Sequence, residues 1–130
     1  MSAYDSGQSI ARISVQEFAS RLANSDKELG DTELQLDTEL QLIDVREPEE
    51  LAIAHLDGFI NLPLSQFAEW SNTIQTQLDP HAETIVMCHH GMRSAQMCAW
   101  LLNQGFTNVK NLTGGIDAYA TTVDTTVPLY

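Results

Sequence analysis

Hydrophobic and polar residues change period several times along the chain, and each change marks an element. Ile10-Ala11-Arg12-Ile13 reads as a short strand. Ser14-Val15-Gln16-Glu17 has the spacing of a capping box, so a helix is expected from Ser14, with Val15, Phe18, Ala19 and Leu22 sharing the face that packs on a sheet. Leu40 to Val45 is an apolar strand, and Glu47-Pro48-Glu49-Glu50 is a helix start, with proline in the first turn and acids at the positive end of the dipole. After a turn at Asp57-Gly58, Phe59-Ile60-Asn61-Leu62 is a further strand, and Ser65 is placed to cap a helix carrying Phe67 and Trp70. Thr84-Ile85-Val86-Met87-Cys88 is a short β-branched run. His89-His90-Gly91 is a turn, Ala95 to Leu102 a helix stopped by Gly105, and Asn108 to Leu112 a last strand. Gly114-Gly115 closes that strand, and a short helix is expected around Ile116 to Tyr119. Strands alternating with helices at this spacing predict an α/β domain: an open, mostly parallel five-stranded sheet with helices on both faces. In such sheets the site lies at the carboxyl ends of the strands.

Three segments stand outside this alternation. Residues 1–9 are small and polar and read as a flexible N-terminal arm, 10–120 as the domain, and 121–130 as a C-terminal extension expected to lie extended over the sheet edge. Between Asp26 and Glu39 six acids face a single Lys27, and Thr32-Glu33-Leu34-Gln35-Leu36 is repeated directly by Thr38-Glu39-Leu40-Gln41-Leu42. Two copies are too few for a solenoid, so the stretch reads as a duplicated surface connection, with an edge hairpin or an acidic docking face for a basic partner as the alternatives.

Composition narrows the function. The chain has 130 residues, 43% of them apolar, and its 18 acids against 6 bases give a formal charge of −12. One domain of this size buries a core without disulfides. The charge repels phosphate backbones and anionic lipid, and six scattered bases form no patch to offset it, so neither nucleic acid nor membrane is an expected partner. Two cysteines and the absence of a bilayer-length apolar run lead to the expectation of a soluble protein of a reducing compartment, the cytoplasm.

The informative stretch begins at Cys88, at the carboxyl end of a strand. The chain turns through His89, His90, Gly91 and Met92, and a helix follows from about Arg93 or Ser94. Consecutive N–H groups in such a turn can point inward as an anion nest, the helix N-terminus adds partial positive charge, and Arg93 adds a full one. A sulfur held there is favoured as thiolate, its nucleophilic form. Cys98 falls with Ala95 and Leu102 on one helix face and reads as core, too far from Cys88 for a disulfide while the helix is intact.

Taken together, Leu42-Ile43-Asp44-Val45-Arg46-Glu47-Pro48 with His55 to Pro63, then Cys88-His89-His90-Gly91-Met92-Arg93-Ser94-Ala95, and Gly105 to Val109 through Leu112-Thr113-Gly114-Gly115-Ile116 resemble the rhodanese-like sulfurtransferase domain from about Ile10 to Tyr119. The resemblance implies that Cys88 takes sulfane sulfur from a donor such as thiosulfate, becomes a persulfide and passes the outer sulfur to a nucleophilic acceptor. It further implies that the loop from His89 to Arg93 binds the substrate through its backbone donors, that Asp44 and Arg46 support the site through salt bridges and hydrogen bonds, and that no metal or organic cofactor is needed. The tail from Val123 to Tyr130 is similar to the ends of rhodanese domains fused to enzymes that activate ubiquitin-like sulfur carriers. Tyr119 stands where the family often has tryptophan, and its hydroxyl needs a partner or water.

His89 and His90 replace the permanent cations of many thiosulfate-handling loops. Donor use is therefore expected to strengthen as pH falls through the range where imidazoles protonate. Three other readings compete. A phosphatase of the same fold would need a longer loop than the four residues between Cys88 and Arg93, and a zinc site at Cys88, His89 and His90 would need adjacent residues to act as tetrahedral ligands. The third is a sulfur-relay or regulatory module, loaded and unloaded by a persulfide-donating or sulfur-accepting protein. It shares Cys88 and the loop with the enzyme.

Overall fold

The structure is a computed structural model and describes residues 9–29 and 40–130. Residues 1–8 of the N-terminal arm, the first repeat copy and most of the acidic 26–39 stretch, with its hairpin and docking readings, lie outside those residues. Five strands form one sheet in the order β1-β5-β4-β2-β3: β1 (Ala11–Ile13), β2 (Gln41–Asp44), β3 (Ile60–Asn61), β4 (Thr84–Met87) and β5 (Val109–Leu112). Every pairing is parallel. The helices are α1 (Val15–Leu29), α2 (Pro48–Ile53), α3 (Phe67–Trp70), α4 (Ile74–Gln77), α5 (Met92–Asn103) and α6 (Gly115–Thr122).

Alternation along the central strands divides the core between the two faces. Ile43, Val86 and Val109 pack with Trp70, Ile74, Met97 and Leu101 on one side, whereas Ile85, Met87 and Leu112 pack with Val15, Phe18 and Ile116 on the other. Helices therefore cover both faces, as the alternation of elements predicts. The expected face of α1 is the one that is buried: Val15 and Phe18 are inside, and Ser14 Oγ accepts the N–H of Glu17 at 3.0 Å. Phe18 meets Phe59 and Tyr119 edge-on, with ring centroids 5.9 and 6.2 Å apart. Partial burial against the core raises the Tyr119 phenol.

Two expectations are corrected. The helix anticipated from Ser65 is broken into 3₁₀ turns at Leu64–Gln66 and Ser71–Thr73, with the short α3 between them and α4 after the second. Ser65 does not cap it; its N–H and hydroxyl go to the Glu47 carboxylate instead. Ser71, Asn72 and Thr73 are weak helix formers, and the hydroxyl of Thr73 back-bonds to the Trp70 carbonyl, so the backbone there tightens rather than continuing as α-helix. The C-terminal tail, moreover, is not extended throughout. After a turn in which the Val127 N–H meets the Asp124 carbonyl, it brings Tyr130 to the carboxyl end of β2, because a buried arginine and a carboxylate there bind its hydroxyl.

Candidate active site

The turn after β4 is built around the Cys88 sulfur, which is 1% exposed. The N–H of Gly91 donates to Cys88 Sγ at 3.0 Å, and Ser94 Oγ lies 3.3 Å from the same sulfur. Gly91 has φ of 104°, a left-handed conformation that turns its N–H back towards the sulfur at no steric cost. α5 starts at Met92, directly behind the turn, so its positive end faces the sulfur as the sequence implied.

Two further elements fix the loop from outside. Asn111 on β5 accepts the Ser94 hydroxyl at 2.5 Å and donates to the Gly91 carbonyl at 3.0 Å. The first turn of α6 donates from Ile116 N to the Cys88 carbonyl at 2.9 Å and from Asp117 N to the His89 carbonyl at 3.1 Å. Orphan donors of α6 thus hold the backbone of the turn that opens the preceding helix, α5. This docking needs glycine at 115, because a Cβ there would fall against both carbonyl oxygens, and φ is +64°.

A buried charge network supports the carboxyl end of β2. Arg46 is fully buried and donates to both Asp44 carboxylate oxygens, with its Nη2 2.8 Å from Oδ2 and 2.9 Å from the Ala54 carbonyl. Its Nη1 donates to the Tyr130 hydroxyl at 2.8 Å, and that hydroxyl donates to Glu50 Oε1, also at 2.8 Å. Glu50 in turn receives both guanidinium nitrogens of Arg93, at 2.8 and 3.0 Å. Those bonds hold the Glu50 carboxyl down at about 2 against burial, and the same contact raises Arg93. The expected salt bridge between Asp44 and Arg46 is present, and Arg93 points its charge into a bidentate pair with Glu50.

The two loop histidines have different surroundings. His89 is stacked between His90 and Tyr130, each ring centroid 3.9 Å away and the Tyr130 ring within 4° of parallel. Its Nε2 is buried without a hydrogen-bond partner among the described residues. Burial first, and then the neighbouring His90, lower its pKa, so it stays neutral near pH 7 and gains charge only at lower pH. His90 is exposed, with Nδ1 3.8 Å from an Asp117 carboxylate oxygen. His89, His90 and Asp117 offer one ligand atom each within 4.8 Å of one another, a grouping that leaves out Cys88. Met92 is 78% exposed on the outer side of the loop. Next to it, α5 contributes Gln96, Met97 and Trp100 to an apolar cleft of about 220 Å³ completed by Leu64 and Phe67. A larger cleft of about 570 Å³ includes no residue of the Cys88 loop.

Cys98 is buried in the core, and burial pushes its thiol up to about 12. It is inert packing beside a polar, hydrogen-bonded Cys88. Sequence reasoning missed Ser94, Asn111, Glu50 and Tyr130 as parts of the site. Only Ser94 was close enough in the chain to be signalled there, as a small polar residue in the first turn behind the nest.

A parallel sheet with a cysteine-centred turn opening a helix defines the class. The rhodanese-like domain family model matches residues 25–122, and the chain belongs to that family. Among known proteins it is 51% identical to the chloroplastic rhodanese-like/PpiC domain-containing protein 12 of Arabidopsis thaliana over 92 residues, 71% of this chain and 31% of that one, so it spans less than a third of that relative's length. It is 37% identical over 86 residues to the putative sulfurtransferase YtwF of Bacillus subtilis, covering 66% of this chain and 79% of that protein. The fold is shared with the human single-domain sulfurtransferase TSTD1, at a TM-score of 0.64 and 20% identity over 88% of this chain and 98% of that one.

Proposed function

We propose that this domain is a sulfurtransferase that carries sulfane sulfur on Cys88. The observation that carries the reading is the pair of donors aimed at one buried sulfur, the Gly91 N–H at 3.0 Å and the Ser94 hydroxyl at 3.3 Å, in front of the α5 N-terminus. Such a setting stabilises a thiolate and, after transfer, the terminal charge of a persulfide. The Cys88 thiolate attacks the outer sulfur of a donor such as thiosulfate, the S–S bond forms as the bond to the sulfonate sulfur breaks, and sulfite leaves with the electron pair. A thiophilic acceptor then attacks the outer sulfur of Cys88–S–S⁻ and regenerates the thiolate. The persulfide extends the reactive atom by about 2 Å from a buried position, which helps an acceptor reach it. Splitting the transfer in two needs only one activated nucleophile. Relatives named as sulfurtransferases support the reading, and a cytoplasmic setting is part of it.

Intact mass of the reduced protein after incubation with thiosulfate tests it. The expected result is one added sulfur, absent in Cys88→Ala and removed by cyanide with release of thiocyanate. If neither thiosulfate nor a protein persulfide donor leaves sulfur on Cys88, the carrier role is wrong. Transfer from a protein donor alone would favour the relay reading over the small-molecule enzyme.

A further inference from the structure

The cation expected to attract an anionic donor is already engaged. Both nitrogens of the Arg93 fork lie on the Glu50 carboxylate, so a donor approaching the loop meets a neutral pair. Glu50 is itself held in place: one oxygen accepts the Tyr130 hydroxyl, the other accepts the Glu47 N–H, and Tyr130 is fixed by Arg46 on one side and its stack on His89 on the other. Arg46 is likewise paired, with Asp44. The Asp117 carboxylate, next to His90, adds negative charge beside the loop. The chain as a whole carries −12. The backbone donors and the α5 N-terminus remain, but a dianion finds no unpaired cation in Arg93 and approaches against the field of an acidic chain.

We propose that Glu50 selects the sulfur donor: by neutralising Arg93 it disfavours dianionic donors such as thiosulfate and leaves the site to donors of low charge, namely organic hydropersulfides. This rests on the sulfur-carrier reading of Cys88. In the favoured reaction the Cys88 thiolate attacks the outer sulfur of R–S–SH, Cys88–S–SH forms, and the thiolate R–S⁻ departs with the electrons of the broken S–S bond. Arg93 stands in the first turn of α5, next to Ser94, whose hydroxyl lies 3.3 Å from the Cys88 sulfur, so releasing it from Glu50 would change the field at the reacting atom. Glu50 acts through Arg93 and is a positioning residue.

The test is Glu50→Gln, which keeps the shape and one hydrogen bond to Arg93 and removes the charge. kcat/KM for sulfur uptake is measured with two donors of the same chemistry but different charge, thiosulfate (a dianion) and benzenethiosulfonate (a monoanion). A charge effect scales with donor charge, so thiosulfate should improve about tenfold and benzenethiosulfonate about threefold. Added salt should erode both gains. The double variant Glu50→Gln/Arg93→Gln, which leaves no unpaired charge, should return the donor ratio towards the wild-type value whatever its absolute rate. It also serves if the single variant folds poorly. Equal changes with the two donors, or a donor ratio in the double variant that stays altered, would overturn the proposal and leave Glu50 a structural residue. Absence of any added sulfur on Cys88 in wild type with either donor or with a hydropersulfide would show that the carrier reading itself has failed, and the selection with it.

Discussion

One hydroxyl near the sulfur has more acceptors than protons. Ser94 has a single O–H and two acceptors within reach, Asn111 Oδ1 at 2.5 Å and Cys88 Sγ at 3.3 Å. With a neutral thiol, the short bond to Asn111 takes the serine proton and the S–H can donate to Ser94 Oγ. With a thiolate, the serine proton can swing to the sulfur, since hydrogen bonds to ionised acceptors are about twice as strong as neutral ones. Ser94→Ala should therefore lower the rate of sulfur uptake about tenfold near pH 7, the value of one charged hydrogen bond, while leaving Cys98 packing and the fold unchanged. Ser94→Thr, which keeps the hydroxyl, checks this: it should recover most of the uptake rate that Ser94→Ala loses. A threonine variant as slow as the alanine one would mean that Ser94 only shapes the loop. His89 bears on the pH dependence expected of donor use. Burial lowers its pKa, so its charge is gained at a lower pH than that of a free imidazole, and any rise in anion use from this residue comes late on acidification.

The element that holds the loop is α6, and its hold has a steric condition. Ile116 and Asp117 can reach the carbonyls of Cys88 and His89 only because residue 115 has no Cβ and sits at φ +64°. Gly115→Ala must push the start of α6 off the loop, at a cost of about 2–4 kcal/mol by analogy with other overpacked, strained sites. Urea denaturation and sulfur uptake should both suffer; a stable variant with normal uptake would refute the docking role. This dependence shows what was legible beforehand and what was not. Period and β-branching locate β4, β2 and β5, and Cys88 followed by a glycine turn and a helix locates the nest, because those signals are local. Gly114-Gly115 signals a turn, but the carbonyls that meet Gly115 belong to a loop some 26 residues earlier. Glu50 and Arg93 are 43 positions apart, and Tyr130 reaches Arg46 across 84. Such pairings follow from how the sheet brings strand ends together, which no local pattern encodes. The broken helix between Leu64 and Gln77 escaped for the converse reason: its residues carry a helical apolar spacing, and Ser65, placed like a cap, bonds Glu47 in preference to the helix.

At the scale of the whole molecule, a second ion cluster ties α1 to the sheet. Glu83, just before β4, binds Arg21 of α1 through both nitrogens, at 2.8 and 2.5 Å, and Lys110 of β5 at 2.5 Å. The Arg21 hydrogen bonds, supported by Lys110, bring the Glu83 carboxyl down to about 2 from its usual 4.5, and Glu50 at the site is lowered to about 2 by Arg93. A carboxyl whose folded value is depressed contributes stability that is present above its unfolded value and lost as pH falls through the folded one. Both ion clusters therefore stabilise the domain fully above about pH 4.5 and release that stability between there and about pH 2. Arg21 is 41% exposed and Glu83 19%, so screening limits the contribution of this cluster to about 1 kcal/mol. Glu83→Gln should thus be less stable than wild type by about that amount at pH 7, and the gap should narrow on acidification towards pH 2, where wild-type Glu83 is giving up its charge as well. Urea midpoints of the two proteins at neutral and acid pH measure the gap directly. A gap that persisted undiminished at the acid end would assign the effect to packing. Narrowing of the gap would make the ionisation of Glu83 the link between α1 and the sheet, and its position away from the Cys88 loop means that sulfur uptake at neutral pH should survive the substitution.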